Sequence, residues 1–276
     1  MPSPLQRKDP SERRFEFSRN WSHFLKVLTD ERIAEAKKSL KMMLGVERLE
    51  GKSFLDIGSG SGLFSLAAKR LGAQVYSFDY DPQSVACTRE LKRLFYPQDD
   101  LWTIRQGSVL DLEFMKSLRK FDIVYSWGVL HHTGDLWLAL ANAAVPVADK
   151  GLLFIAIYND QGFQSRIWKR IKKFYVSSRL GRIFVLGTFI PAFFIAGIFM
   201  DVIRGKNPAR RFREYQQQRG MSVLYDWIDW LGGYPFEVAK LEKIIEFCRK
   251  IGFDLQKMVP ARGLGNNQFV FERKLP

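Results

Sequence analysis

The chain has little cysteine and little histidine: its 276 residues contain two cysteines and three histidines. Cys87 and Cys248 lie far apart, in no disulfide or metal-binding pattern, which argues against a disulfide-stabilised fold and against a zinc site. Residues 1–19 are polar and charged and lack the apolar stretch of a signal peptide. These absences predict a cytoplasmic protein that needs no metal.

Acidic residues are scarce in one part of the chain. Between 161 and 220 there are thirteen lysines and arginines but only two acidic residues, so this segment carries +11 of the chain's net charge of +14. A block of like charge commonly contacts an anionic partner or stays in water. The segment also contains 183–200, eighteen residues without a charge, so the basic residues flank a long apolar run.

Glycines are concentrated in one motif. Residues 53–62 read Ser-Phe-Leu-Asp-Ile-Gly-Ser-Gly-Ser-Gly, so a short apolar run ends at Gly58, Gly60 and Gly62, and an apolar helix face follows. A strand, a glycine loop and a helix open a nucleotide-binding βαβ unit. Glycine allows a positive φ and lets a ligand lie directly on the loop.

Two acidic residues narrow the choice of ligand. Asp56 stands two residues before the first glycine, where a carboxylate would repel a pyrophosphate but suits a cationic amine. Asp79 ends the next predicted strand, about 20 residues on, where a carboxylate binds ribose hydroxyls. An amine together with a ribose indicates S-adenosylmethionine. A dehydrogenase-type Rossmann loop is the competing interpretation, but Leu63 occupies the position of its last glycine.

The pattern Asp-x-Gly-x-Gly-x-Gly with the downstream acid resembles the class I S-adenosylmethionine-dependent methyltransferase family. The resemblance covers about 50–158 and, more weakly, 237–273. It implies an α/β fold, a Rossmann-like, doubly wound, seven-stranded sheet with antiparallel last strands. It also implies S-adenosylmethionine as cofactor, S-adenosylhomocysteine as product, and no metal. The residues expected to contact the cofactor are Asp56, Gly58, Ser59, Gly60, Gly62, Asp79, Tyr80, Ser108, Val109 and Trp127.

The alternation of strand and helix signals divides the chain into four parts. These are an N-terminal helical extension (1–48), the cofactor-binding core (49–159), a basic and apolar helical insertion before the sixth strand (160–235), and a C-terminal helix with the closing strands (236–276). Strands are predicted at 53–57, 74–79, 101–106, 121–126, 152–158, 253–259 and 268–272. Helices are predicted over 22–44, from 62, after Pro82, over 135–148 and over 237–251.

The apolar run 183–200 is long enough to cross a bilayer. A single crossing would separate the last strands from the first five, so the topology argues against a simple span. Gly187, Pro191 and Gly197 predict a broken helix. Three interpretations are open: two short helices packed on the core or on a second subunit, an interfacial or re-entrant membrane anchor with its basic flanks on lipid headgroups, or a lid over an apolar substrate.

Two of the three histidines follow the fourth predicted strand, at the sheet edge where ligands bind in open α/β folds. The family often has a Leu-x-His element there, and His132 matches its histidine, with His131 as neighbour. Methyl transfer to a hydroxyl requires a base, and imidazole suits this role near neutral pH. The alternative is that these histidines only hold the loop by hydrogen bonds.

Four further residues are predicted to contact the acceptor. Tyr158 and Asn159 follow the fifth strand, and Trp230 and Tyr234 lie in an aromatic segment before the closing helix. A turn and simple aromatic packing are the respective alternatives.

The predicted function is O-methylation of a small, lipid-like or anionic acceptor, because the element after the fourth strand resembles that of ubiquinone-biosynthesis O-methyltransferases. An RNA methyltransferase that grips phosphates with the insertion, and a non-catalytic cofactor-binding protein, are the alternatives. The expected location is the cytoplasm, with contact to the inner face of a membrane and self-association through 183–200 as further possibilities.

Overall fold

The computed structural model describes residues 15, 28–205, 207 and 223–275. The strands are β1 (Ser53–Ile57), β2 (Gln74–Asp79), β3 (Trp102–Gln106), β4 (Phe121–Trp127), β5 (Val147–Tyr158), β6 (Phe253–Val259) and β7 (Asn266–Arg273). The helices are α1 (Asp30–Leu44), α2 (Leu63–Arg70), α3 (Pro82–Phe95), α4 (Leu112–Ser117), α5 (Leu136–Ala144), α6 (Phe163–Ser177), α7 (Arg179–Ile203), α8 (Val223–Gly232) and α9 (Leu241–Lys250).

The strands form one seven-stranded sheet in the order β3-β2-β1-β4-β5-β7-β6. The first five are parallel, and β7 runs antiparallel between β5 and β6. This confirms the predicted Rossmann-like sheet with antiparallel last strands. The strand order reverses between β1 and β4, which creates a crevice at their carboxyl ends where ligands bind in such folds.

Apolar side chains on both faces of the sheet hold the helices in place. All five residues of β1 are buried, as expected of a central parallel strand. Because successive side chains point to opposite faces, Leu55 and Ile57 join one core and Phe54 joins the other. The helix predicted after Pro82 is α3, whose first turn is capped by the Asp81 carboxylate accepting a hydrogen bond from the Gln83 N–H at 2.8 Å.

Three predicted element bounds were wrong. The helix predicted over 135–148 ends at Ala144, and β5 begins at Val147 rather than 152. Residues 148–151 therefore lie inside β5, as an irregularity in its pairing with β4 where Lys150 takes a φ of 56°. The helix predicted from 237 begins at Leu241, since residues 233–240 are irregular.

The N-terminal helices predicted over 22–44 are described only in part. Helix α1 begins at Asp30, and its buried face includes Leu40 and Met43. Residues 22–27 lie outside the described residues. The division of the chain into four parts stays a prediction.

The apolar run lies in a single helix, α7, which is 25 residues long and contains Pro191 in its interior. The broken helix predicted from Gly187, Pro191 and Gly197 was therefore wrong, and only 11% of the apolar stretch is buried. Whether the run contacts a second subunit or a membrane stays a prediction. Contacts on both sides of the proline hold the helix together: Phe189 packs on Trp168 at 5.4 Å between ring centroids, and Phe193 packs on Trp227 at 5.5 Å. Within the described residues, α7 is the one helix long and apolar enough to cross a membrane.

The insertion leaves and re-enters the core through a narrow neck. Asn159, which follows β5, forms a β-bridge with Ala239, which precedes α9. The Ala239 N–H donates to the Tyr158 carbonyl at 3.1 Å, and the Asp160 N–H donates to the Ala239 carbonyl at 3.3 Å. Helices α6, α7 and α8 all lie between these two crossing points.

Candidate active site

The glycine loop after β1 is tied to the end of β2. The N–H groups of Gly58 and Ser59 both donate to the Phe78 carbonyl, at 2.8 and 3.1 Å, and the Gly62 N–H donates to the Ser59 carbonyl at 2.8 Å. Gly58 and Gly62 have φ values of 75° and 80°, a region that residues with a Cβ rarely adopt. The loop therefore has the sharply turned shape that its glycine spacing predicts.

The loop after β4 packs directly on this glycine loop. A Cβ placed on Gly58 would lie 2.5 Å from Cγ1 of Val129, which leaves no room for a side chain. Val129 immediately precedes a 3₁₀ turn formed by residues 130–132. The missing side chain at Gly58 thus lets the histidine-bearing turn approach the glycine loop.

Asp79 bridges the glycine loop and the turn after β2. Its Oδ2 accepts from the Gly60 N–H and its Oδ1 from the Asp81 N–H, both at 2.9 Å. Burial raises the pKa of Asp79 to about 6, although these hydrogen bonds act in the opposite direction. The carboxylate predicted to bind ribose therefore lies against the glycine loop.

Asp56 is buried beneath the glycine loop. Its Oδ2 accepts from the Ser65 hydroxyl at 2.5 Å, and the Ser65 hydroxyl is 2.7 Å from that of Ser77. Burial raises the pKa of Asp56 to about 7, and the nearby charge of Asp79 raises it further. In the described part of the chain, neither carboxylate forms an ion pair with lysine or arginine.

These residues fit S-adenosylmethionine. Asp56 is buried and Asp79 is partly buried beside the loop, and within the described residues neither pairs with a lysine or arginine. A ligand that carries an ammonium group and ribose hydroxyls would supply the missing positive charge and hydrogen-bond donors. Asp79 would hold the ribose hydroxyls, and the charge of Asp56 would favour the ammonium group. The turned glycine loop leaves space for the ligand to lie against its backbone.

The other residues predicted for the cofactor lie at the same edge of the sheet. Tyr80 and Trp127 are 63% and 41% exposed at the ends of β2 and β4, so Trp127 is not a core residue. The Ser108 hydroxyl accepts from the Leu110 N–H at 3.2 Å, and the carbonyl of buried Val109 accepts from Asn142 at 2.8 Å. Ser108 therefore shapes the turn after β3.

His132 is partly buried, and its tautomer is set by one hydrogen bond. Its Nδ1 lies 2.6 Å from the Pro235 carbonyl. Because a carbonyl only accepts, Nδ1 carries the hydrogen and Nε2 carries the lone pair. Burial lowers the pKa of His132 to about 4, while the Pro235 carbonyl acts in the opposite direction and the charge of Lys172 lowers it further.

His131 is fully buried beside it, with the two ring centroids 4.5 Å apart. Its Nδ1 accepts from the Tyr158 N–H at 3.3 Å, and the Tyr158 ring centroid lies 4.1 Å from the His131 ring. Burial holds the pKa of His131 well below its usual range. The two neighbouring histidines therefore differ: His131 is enclosed by the end of β5, and His132 is held by the segment before α9.

Lys172 of α6 is a candidate that the sequence reasoning missed. It is fully buried, its Nζ donates to the Trp230 carbonyl, and Nζ lies 4.9 Å from the ring centroids of both Trp230 and Phe236. Burial lowers its pKa to about 7, while the charge of Asp229 acts to raise it. A signal was present: in the helical pattern of α6, Lys172 shares the buried face with Tyr175. In the sequence alone, however, Lys172 is one of thirteen basic residues between 161 and 220, and nothing else distinguishes it from the others.

The predicted acceptor residues separate into two groups. Tyr158 contacts both histidines, and Trp230 contacts Lys172. Asn159 instead donates to the Gly263 carbonyl at 3.1 Å and accepts from Asn267 at 3.2 Å, so it fastens the turn between β6 and β7. Tyr234 is buried in the apolar cluster of the insertion. The structure therefore brings Tyr158 and Trp230 toward the histidines but not Asn159.

Comparison with known proteins gives one family match, the methyltransferase domain, over residues 55–155. A ubiquinone biosynthesis O-methyltransferase of Brucella melitensis is 32% identical over 111 residues, which are 40% of this chain and 43% of the relative. That of Pelagibacter ubique is 26% identical over 122 residues, 44% of this chain and 48% of the relative. The chain thus matches less than half the length of these relatives.

Two other matches widen the range of relatives. A ribosomal protein L11 methyltransferase of Helicobacter hepaticus is 36% identical over 77 residues, 28% of this chain and 23% of the relative. The crystal structure of a magnesium protoporphyrin IX methyltransferase from Synechocystis, with bound S-adenosylhomocysteine, has a TM-score of 0.55 at 14% identity, covering 93% of this chain and 95% of that one. At this identity the structural match shows the shared fold.

Proposed function

We propose that this chain, which belongs to the class I S-adenosylmethionine-dependent methyltransferases, methylates an oxygen atom of a lipid-like acceptor that carries an anionic group. When bound, S-adenosylmethionine supplies an electrophilic methyl group on a sulfonium centre. The protein's own residues must hold the acceptor, keep water away and remove the acceptor's proton. The names of the ubiquinone-biosynthesis relatives support oxygen as the methylated atom.

The observation that carries the proposal is the tautomer of His132. With Nδ1–H held by the Pro235 carbonyl at 2.6 Å, the lone pair on Nε2 is the group that accepts a proton from an acceptor hydroxyl. Its pKa of about 4 keeps the imidazole neutral, and so able to accept, throughout the neutral range. The Pro235 carbonyl also stabilises the imidazolium that forms. His131 and Tyr158 pack against this ring and keep it in position.

Lys172 and its aromatic neighbours support an acceptor that is both apolar and anionic. The ammonium group lies between the Trp230 and Phe236 rings, and Phe236 packs on Tyr158 at 5.2 Å between centroids. Aromatic walls suit an apolar body, and a carboxylate or phosphate beside Lys172 would favour the charged form of this buried amine. The two requirements are met together by a phenolic acid with an apolar tail.

The test compares phenolic carboxylic acids with and without a prenyl tail as methyl acceptors, measuring S-adenosylhomocysteine release. His132→Gln should leave cofactor affinity unchanged by calorimetry and slow turnover by about 10²–10⁴-fold. His131→Gln is the comparison variant: it removes a ring that packs on His132 but not the proposed base, so it should slow turnover less than His132→Gln does. Unchanged turnover of the His132 variant would remove it as the base, and methylation of amines in preference to phenols would overturn O-methylation.

A further inference from the structure

One face of α7 presents large apolar side chains to solvent. Leu180, Ile183, Phe184, Ile195 and Val202 are each more than 60% exposed. Counted from Leu180, their separations are sums of three- and four-residue steps, which places them along one side of the helix. An exposed apolar face of this length indicates a surface that contacts another molecule or a membrane.

The opposite face of α7 is held by the insertion itself. Val185 is buried, Phe189 packs on Trp168, and Phe193 packs on Trp230 with ring centroids 6.1 Å apart. Because protein covers this side of the middle of the helix, lipid cannot surround α7 as it surrounds a transmembrane helix. Although a helix of 25 residues is about 37 Å long and could span a bilayer, only one face of α7 is available to contact lipid.

Arginines stand at both ends of the apolar face. Arg179 and Arg182 lie in the first turn of α7, and Arg204 follows its last residue. Helix α6, which packs on α7, adds further basic residues: Arg166, Lys169, Arg170 and Lys173. An apolar helix face bounded by cations complements a surface with an apolar interior and anionic headgroups.

We propose that α7 lies in the plane of an anionic membrane surface, with its exposed apolar face in the boundary between headgroups and acyl chains. This goes beyond methyl transfer and does not depend on it. A second copy of the chain is a poorer occupant. A two-fold pairing of α7 helices brings arginine-bearing ends together whether the helices run parallel or antiparallel, and like charges repel.

The covered face of α7 lies next to the candidate site through Trp230. This side chain contacts Phe193 of α7 on one side and Lys172 on the other.

The experiment measures co-sedimentation of the full chain with vesicles of phosphatidylcholine alone and of phosphatidylcholine with an equal amount of phosphatidylglycerol. Wild-type protein should sediment with the anionic vesicles and much less with the neutral ones. Replacing two apolar residues, Phe184→Gln with Ile195→Gln, should weaken binding by roughly tenfold or more. Arg179→Gln with Arg204→Gln should weaken it roughly fivefold per arginine, on anionic vesicles only.

The matched control is Leu94→Gln with Leu101→Gln, which removes two leucines more than half exposed on the sheet domain. It should bind vesicles like wild type, and all variants should retain cofactor affinity, which shows that they are folded. Retained vesicle binding by the Phe184 and Ile195 variant would overturn the proposal. So would a solution dimer that this variant dissociates, or binding to RNA with no binding to anionic vesicles.

Discussion

A side chain at Gly58 should destabilise the folded protein for two separable reasons, the backbone conformation and the lack of space. At a φ of 75° an alanine is strained by about 1–2 kcal/mol. Its Cβ would also lie 2.5 and 2.6 Å from the two methyl groups of Val129, and overpacking of this kind costs about 1–3 kcal/mol. We expect Gly58→Ala to lower the free energy of unfolding by about 2–5 kcal/mol.

Gly128 provides a control for the conformational part. It has the same φ of 75°, but a Cβ there meets no atom within 4 Å. Gly128→Ala should therefore cost only the strain. Val129→Ala alone should destabilise slightly, because it removes two partly buried methyl groups. In the Gly58→Ala background the same change should stabilise, because it relieves the overlap.

Urea denaturation followed by fluorescence measures all four variants, since the chain contains seven tryptophans. The interaction free energy of the double-mutant cycle should be favourable by about 1–3 kcal/mol. Equal losses for the Gly58 and Gly128 variants, or a Val129→Ala effect of the same sign and size in both backgrounds, would refute the close contact between the glycine loop and the histidine turn.

Two further predictions concern the buried charges. Burial raises the pKa of Asp56 from 3.8 to about 7 and that of Asp79 from 3.8 to about 6, so the folded protein binds protons more tightly than the unfolded chain. The free energy of unfolding of the cofactor-free protein should therefore fall as the pH rises from about 4 to 7, which urea titrations measure. Cofactor affinity by calorimetry should rise over the upper part of this range, and Asp79→Asn should weaken it at least tenfold; the same affinity at pH 5 and pH 8 would contradict this. Lys172→Met should move the acid limb of the kcat/KM profile to higher pH, because the lysine charge lowers the pKa of His132, and should raise the KM of an anionic acceptor; an unchanged profile would remove Lys172 from the site.

The parts of the fold that were predictable are those in which short-range pattern and long-range packing agree. In β1 the apolar run, the glycine loop and the following helix are each local signals, and the strand was predicted with its observed bounds. Strand β6 was also predicted with its observed bounds, whereas β7 is longer at both ends than the predicted 268–272, and the antiparallel arrangement was implied by the family resemblance. Strand β1 lies in the middle of the sheet, where burial on two faces leaves few alternatives.

The errors lie where tertiary contacts override a local signal. Pro191 breaks helices in isolation, but Phe189 and Phe193 pack on tryptophans to either side of it, and α7 continues. Strand β5 begins earlier than predicted because Val147 and Leu152, on the two sides of Lys150, both pair with β4. Lys172 was missed for a different reason, since its burial depends on α8 and on Phe236, which are distant in sequence.

The neck at Tyr158 and Ala239 has a consequence for how such a protein can change. Residues 160–238 could be exchanged for another insertion without altering a hydrogen bond within the sheet. Yet Pro235, whose carbonyl orients the His132 imidazole, lies on the exchanged side, and so do Lys172 and the apolar face of α7. Replacing this insertion with that of another protein would therefore change the proposed acceptor preference, the orientation of the proposed base and the proposed membrane affinity together. The residues expected to bind the methyl donor would stay the same.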